Sequence, residues 1–209
     1  QDESYSNIHI MKIGLIGAGR LGLCLALLMD KAGYSVIASD VRKDYIDGLQ
    51  IGEVTTTEPL VGQYLDSARR IEFTTDNLRV IEESDIIFTL VLTPSLENGS
   101  YDVSNVDDVV SDILKYGWDK DLSNKSLVIG CTTNPGDCDF FQDRLSETGI
   151  SVFYNPEFIA QGSIIKDLRT ADMVLLGHDN SGSNGTIASI KQLYDKIQTT
   201  PVICSTMSN

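Results

Sequence analysis

Three glycines and one aspartate carry the first chemistry in this chain. The stretch Ile13-Gly-Leu-Ile-Gly17-Ala-Gly19-Arg-Leu-Gly22 holds a GxGxxG pattern, and Asp40 follows Gly17 by 23 positions. Each part has a physical job. Gly17 permits a tight turn, Gly19 lets backbone approach a pyrophosphate, and Gly22 lets a helix pack close to its sheet; the N-terminus of that helix favours the phosphate charge. A carboxylate at the end of the following strand accepts hydrogen bonds from the adenosine ribose hydroxyls. The same carboxylate repels a 2′-phosphate, which favours NAD over NADP. Arg42 argues the other way, because a nearby arginine can accommodate that phosphate. Alone the glycine pattern is weak, and it gains force from its surroundings.

Those surroundings are set by periodicity and punctuation. Lys12–Ile16 is a short apolar run ending at glycine, a buried strand, and Arg20–Ala32 is a helix apolar nearly all round. Tyr34–Ser39 reads as a strand and Lys43–Gln50 as a helix closed by Gly52. Pro59–Arg70 reads as a helix, Ile71–Thr74 as a strand, and Asp76 caps a helix over Asn77–Glu82. Asp85–Leu92, Ser126–Cys131, Ser151–Tyr154, Met173–Gly177 and Pro201–Ser205 are further strands. Helices are expected at Val103–Tyr116, Gly136–Thr148 and Ile187–Ile197. An irregular stretch fills Asn155–Thr170, and the Gly/Ser/Asn-rich segment His178–Gly185 is a loop. Strands without polar alternation belong to parallel sheets covered on both faces. The expected fold is α/β: a Rossmann-like, doubly wound, mainly parallel sheet with helices on both faces. Residues 1–10 match no helix or strand pattern and read as a disordered tail or an appended remnant. Residues 11–209 form the NAD-binding domain.

Composition narrows the partners. The chain has 209 residues, 16 Lys plus Arg against 30 Asp plus Glu, and a formal net charge of −14. Phosphate backbones and anionic membrane surfaces need a cationic face, so neither nucleic acid nor membrane is an expected partner. A small phosphorylated ligand stays possible, since backbone N–H groups can hold it. The longest apolar run, Leu23–Met29, falls far short of the ~20 residues a spanning helix needs. The four cysteines at 24, 131, 138 and 204 form no CxxC pair, and His9 and His178 lie far from them in sequence, so no metal site is expected. They read as reduced thiols of a cytoplasmic protein: Cys24 in the core, and Cys131 as a strand-end core residue beside a turn.

The second half carries a further run, Phe153-Tyr154-Asn155-Pro156-Glu157-Phe158-Ile159-Ala160-Gln161-Gly162, followed by Asp167. Between it and the glycines stand Leu92-Thr93-Pro94-Ser95, Gly99-Ser-Tyr-Asp102-Val-Ser-Asn-Val106, and Cys131-Thr132-Thr133-Asn134-Pro135-Gly136; Glu58-Pro59 precedes them. In that order these segments resemble the UDP-glucose, UDP-N-acetyl-sugar and GDP-mannose 6-dehydrogenases over Met11 to about Asn209. The resemblance implies oxidation of the C6 alcohol of a nucleotide sugar to the uronic acid with two NAD molecules, through a cysteine-bound thioester. It implies a catalytic role for Glu157, acting through a water in thioester hydrolysis, and for Thr133, which hydrogen-bonds that water. It places Gly17, Gly19, Arg20, Leu21, Gly22, Asp40, Thr93, Pro94 and Thr132 on the cofactor, and Glu157, Phe158, Ile159 and Ala160 along the sugar. A carboxylate near ~4.3 in water becomes an effective base when partly desolvated, because burial raises its pKa.

The sequence also departs from the family pattern. Arg20-Leu21 replaces Tyr-Val after the second fingerprint glycine, Tyr45 stands where many members carry a basic residue, and Gln161 replaces a second glutamate. The second proline of the Thr-x-Pro-Pro-Gly turn is missing. The chain ends about where the family enters its dimer-forming central helix. The family's lysine, asparagine and nucleophilic cysteine lie beyond that point. The expectation is therefore a cofactor domain inactive by itself, with a homodimer formed in the full-length protein. Two other readings stand beside this one: a two-domain dehydrogenase of the 3-hydroxy acid type, and an NAD-binding module without catalysis.

Overall fold

In the computed structural model, which describes residues 11–178, 184–199 and 204–207, strands and helices alternate. The first half runs β1 (Lys12–Ile16), α1 (Arg20–Lys31), β2 (Ser35–Ser39), α2 (Lys43–Gln50), α3 (Val61–Ser67), β3 (Ile71–Thr74), α4 (Asn77–Glu83) and β4 (Ile86–Thr89). The second runs α5 (Ser104–Tyr116), β5 (Ser126–Ile129), α6 (Asp137–Leu145), β6 (Ser151–Tyr154), α7 (Ile164–Arg169), β7 (Val174–Gly177), α8 (Asn184–Ile197) and β8 (Cys204–Met207). The sheet order is β3-β2-β1-β4-β5-β6-β7-β8.

Both faces of the central strands are apolar, and each face needs its own helices. Ile13 and Leu15 of β1, Val36 and Ala38 of β2, and Phe88 of β4 pack with α1, α3, α7 and α8. Ile16, Ile37 and Ile87 point the opposite way and pack with α4, α5 and α6. Period-two alternation with both sets buried produces the doubly wound architecture. Polar groups close the remaining gaps. Asp76 caps α4 by accepting from the N–H groups of Leu78 and Arg79. The buried Asp30 carboxylate accepts from the N–H groups of Arg69 and Arg70 at 3.0 and 2.6 Å, fastening the entry to β3 onto α1.

Several expectations change. β7 runs antiparallel to β6, meeting it at the Tyr154–Gly177 pair, while the other strand pairs are parallel. A parallel return needs a crossover long enough to recross the sheet. The connection after β6 contains one short helix and re-enters at the edge it left. That helix, α7, lies within the stretch expected to be irregular. α3 is shorter than expected because the chain before it passes through a left-handed residue, Leu60 (φ +71°), and Ala68 is already extended. β4 stops at Thr89, and the chain then turns past Gly17. The expected loop at 178–185 is cut short by α8, which begins at Asn184; residues 179–183, like the tail 1–10, lie outside the described residues. β8, Cys204–Met207, overlaps the end of the strand expected at Pro201–Ser205 and runs two residues beyond it; residues 200–203 lie outside the described residues.

The first crossover is held by very close backbone contacts. A Cβ on Gly22 would lie 2.1 Å from the Gly17 carbonyl oxygen, whereas one on Gly62, in α3, would meet nothing within 4 Å. Overpacking of this kind costs about 1–3 kcal/mol, while Gly→Ala in an open helix position stabilises by up to about 1 kcal/mol. Urea unfolding should therefore show Gly22→Ala less stable than wild type and Gly62→Ala equal or more stable. Equal effects at the two positions would refute this packing account.

Candidate functional site

Because β1, β2, β4, β5 and β6 are parallel, their carboxyl ends open at one edge of the sheet. β1 lies between β2 and β4, so the chain order reverses between β1 and β4, and a crevice opens where the two crossovers diverge. Gly17 enters it with φ +99°, and a Cβ there would lie 2.7 Å from the carbonyl carbon and oxygen of Leu90. Only glycine fits this turn. A Cβ on Gly19 would meet open space, so among the described residues nothing blocks approach to the backbone there. α1 starts with Gly19 as its N-cap residue and no side-chain cap; its first helical bond runs from Leu23 N–H to the Gly19 carbonyl. The N–H groups of the first turn, at Arg20, Leu21 and Gly22, are thus the positive end of a twelve-residue helix that, among the described residues, has no side-chain cap and no acidic residue in its first turn. This arrangement fits a pyrophosphate.

Asp40 directly follows β2 and is buried, with 8% exposure. Its two oxygens take the fork of Arg42, from Nε at 2.8 Å and Nη2 at 2.9 Å, and Oδ1 also accepts from the Arg42 N–H. Burial raises the Asp40 carboxyl, but the hydrogen bonds and charge of Arg42 outweigh it and hold the group below the usual range. The guanidinium lies 4.2 Å from the centre of the Tyr45 ring. The two residues that opposed each other in the sequence reading are partners here, and the arginine is fixed between a carboxylate and an aromatic face.

The loops after β4 and β5 are tied together. The Asn134 side chain accepts from Tyr101 N–H at 2.7 Å and donates to the Tyr101 carbonyl at 3.0 Å. Thr93 is half-buried, and Pro94 and Thr132 are exposed. The Thr133 hydroxyl contacts Cys138 Sγ at 3.8 Å and hydrogen-bonds Tyr154. Burial pushes the Cys24 and Cys131 thiols up to about 12 and that of Cys138 up to about 11, so none of the three is a ready thiolate.

The Asn155–Gly162 loop after β6 is anchored at several points. Asn155 is buried; its N–H donates to the Ile129 carbonyl and its Nδ2 to the Leu175 carbonyl. At the far end the buried Glu58 carboxylate accepts from the N–H groups of Gly162 at 2.6 Å and Ile164 at 3.2 Å. Asp167 accepts from Ala160 N–H and the Ser163 hydroxyl. Arg20, in the first turn of α1, donates to Gln161 Oε1 at 2.6 Å. The glycine fingerprint and the Asn-Pro-Glu-Phe loop, 141 residues apart, are therefore in direct contact. Phe158 is 60% exposed, and Ile159 packs partly on the core. The Ala160 N–H is committed to Asp167 of α7.

Glu157 sits in the middle of this loop. Burial pushes its carboxyl up to about 7, against a smaller lowering by hydrogen bonding to Tyr194. The Tyr194 hydroxyl, on α8, lies 2.5 Å from Glu157 Oε1 and 2.5 Å from Asn155 Oδ1. Glu58, Asn134, Asn155 and Tyr194 had no assigned role in the sequence reading. For Tyr194 a signal existed: it is a polar-tipped aromatic among Ile190, Leu193 and Ile197, and a buried phenol needs a partner.

The topology and the first-crossover geometry define a dinucleotide-binding domain of the Rossmann type. More particularly, the chain belongs to the UDP-glucose/GDP-mannose dehydrogenase family, NAD binding domain, which it matches over residues 11–198. NAD is the cofactor of that domain. The chain is 30% identical over 193 residues to a UDP-glucose 6-dehydrogenase of Rickettsia conorii, covering 90% of this chain and 43% of that protein. It is 26% identical to the putative UDP-glucose 6-dehydrogenase YtcA of Bacillus subtilis, covering 93% of this chain and 46% of that protein. The GDP-mannose dehydrogenase of Pseudomonas aeruginosa, solved as a ternary complex, superposes with a TM-score of 0.81 at 27% identity, covering 94% of this chain and 46% of that one. The chain thus spans about half the length of the relatives it matches. Among the described residues, no helix is long and apolar enough to cross a membrane, and no cluster of His, Cys, Asp and Glu is suited to a metal ion.

The raised Glu157 carboxyl has a consequence for stability. A carboxyl whose folded value lies above its unfolded one contributes stability that is fully present below the unfolded value and lost as pH rises through the folded value. With the folded value at about 7, the loss runs from about pH 4 to about pH 8 and totals about 3 kcal/mol. Urea denaturation should show Glu157→Gln gaining that much on wild type across the window. Parallel stability curves for the two proteins would exclude a desolvated, raised carboxyl at this position.

Proposed function

We propose that this chain is the cofactor half of a nucleotide-sugar 6-dehydrogenase, which oxidises the C6 alcohol of a UDP- or GDP-sugar to the uronic acid with two NAD molecules in succession. The observation that carries the reading is the Arg20–Gln161 contact. It brings the pyrophosphate-binding turn against the loop that holds a partly buried, desolvated carboxyl with a pKa of about 7. A module that only bound NAD would have no use for such a group beside its cofactor.

In this reading NAD supplies the hydride acceptor. Gly17, Gly19 and the first-turn N–H groups of Arg20, Leu21 and Gly22 hold the pyrophosphate, Asp40 takes the ribose, and Thr93, Pro94 and Thr132 line the remaining cofactor surface. Glu157 is the base that takes a proton from the water attacking the thioester, with Thr133 orienting that water. Phe158, Ile159 and Ala160 border the sugar. Homodimerisation of the full-length protein and a cytoplasmic location belong to the same proposal; the free thiols of Cys24, Cys131 and Cys138 support the latter.

Cofactor choice follows from the Asp40–Arg42 pair. An Asp40 carboxylate already neutralised and fixed by Arg42 still presents acceptors to a ribose diol, and the fork of Arg42 is occupied. Calorimetric titration should therefore give tighter binding of NAD than of NADP. Equal or tighter binding of NADP would assign Arg42 to a 2′-phosphate instead.

The role of Glu157 is tested in the full-length protein. General-base assistance is worth roughly 10²–10⁴-fold, so Glu157→Gln should slow turnover by about that range with little change in NAD affinity. A covalent enzyme–sugar adduct should accumulate and appear as a mass shift in the intact protein. Wild-type turnover by the variant would return Glu157 to a structural role.

A further inference from the structure

Tyr194 presents a problem of proton counting. Its hydroxyl oxygen has two neighbours at 2.5 Å, Asn155 Oδ1 and Glu157 Oε1, and a phenol has one proton to give. The orientation of Asn155 decides where it goes. Asn155 Nδ2 donates to the Leu175 carbonyl at 2.8 Å. Turning the amide over would set Oδ1 against that carbonyl, acceptor against acceptor. Oδ1 therefore faces Tyr194 and needs the phenol proton. The contact between Tyr194 and Glu157 is then oxygen to oxygen, and it is a hydrogen bond only if the carboxyl brings a proton of its own.

We propose that Tyr194 and Asn155 are positioning residues that set the protonation of Glu157: Asn155 claims the Tyr194 proton, so Glu157 keeps its own and donates it to the Tyr194 oxygen. On ionisation the balance is simple. The proton leaves Glu157 for solvent or a substrate oxyanion. The Tyr194 proton stays on Tyr194 and swings from Asn155 Oδ1 to Glu157 Oε1, and Asn155 Oδ1 loses its donor. The carboxyl thus has a hydrogen-bond partner in both states, but ionisation costs the Tyr194–Asn155 bond.

The surroundings agree. Burial raises Glu157 to about 7 and, among the described residues, no charged side chain contributes to that shift. Among the described residues, the titratable group in contact with it is Tyr194 of α8; Asn155 of its own loop holds that hydroxyl from the other side and is itself held by the Leu175 carbonyl of β7. Tyr194 and Asn155 are each only 1% exposed, so water does not readily replace either bond. The inference rests on the proposed role of Glu157 for its meaning in catalysis, but the coupling itself does not.

The deciding variants act on one state more than the other. Tyr194→Phe removes a bond from both forms and has no clear sign. Replacing Tyr194 by 3-fluorotyrosine keeps the shape and makes the phenol a stronger donor and weaker acceptor, which favours ionised Glu157. Asn155→Ala removes the competing acceptor and frees the Tyr194 proton, with the same direction. Carbon-13 NMR of the full-length protein, with the Glu157 carboxyl signal assigned by its absence in Glu157→Gln, should show titration near neutrality in wild type. Each of the two variants should shift it downward by roughly half a unit or more. The acidic limb of the kcat profile should move with it.

An ordinary carboxylate titration in wild type, or an unmoved titration in the fluorotyrosine protein, overturns the proposal; that protein carries the test if Asn155→Ala does not fold. A titration that shifts as expected while Glu157→Gln turns over at the wild-type rate upholds the coupling and removes Glu157 from the base role.

Discussion

A Cβ on Gly22 would stand 2.1 Å from the Gly17 carbonyl, and one on Gly17 would press into the Leu90 backbone. Three segments therefore meet at backbone distance: the turn after β1, the first turn of α1 and the exit of β4. With that contact in place α1 starts at the carboxyl edge of the sheet, its N–H groups open, and β4 ends early enough for its loop to cross the same edge. A side chain at Gly22 would press α1 away from the turn, and one at Gly17 would press the turn away from the exit of β4.

The Asn155–Gly162 loop depends on α1 in turn. A loop of this kind has few backbone partners of its own, and here they come from elsewhere in the chain. Glu58 satisfies two N–H groups at its far end, Asn155 ties its near end to β5 and β7, and Arg20 bridges it to the fingerprint helix. Held this way, the loop can keep one carboxyl partly out of water and poorly solvated. That burial has an energetic cost, and it is the reason Glu157 differs from the exposed carboxylates of an acidic surface. Asp40 illustrates the opposite outcome: it too is buried, but a bidentate arginine stabilises its charge.

Much of this was legible in the residues. The alternating strand and helix order, the glycine turn, Asp40 at the end of β2 and the Asp76 cap all rest on local rules: steric freedom at glycine, apolar periodicity and side-chain capping act within a few residues. Motif order extended the reading to the family, which the match over residues 11–198 establishes. Cys24 as a core residue followed from its place in an apolar helix.

What the sequence could not contain is pairing between distant residues. Arg42 against Asp40 was visible only as a competition, because sequence does not say whether two neighbouring charges turn toward each other or toward a ligand. The antiparallel β7, the α7 helix within an apparently irregular stretch, and Glu58 as an anchor for Gly162 depend on which elements lie side by side. Tyr194 is the plainest case. By itself it is one more apolar-face residue of α8, and Glu157 one more loop carboxylate. Local sequence determined that a nucleotide-binding crossover and a carboxylate loop would both exist. Only the placement of α8 beside the Asn155–Gly162 loop, through contacts more than thirty residues apart in the chain, placed a phenol on that carboxylate, because desolvation and proton sharing are properties of neighbours in space.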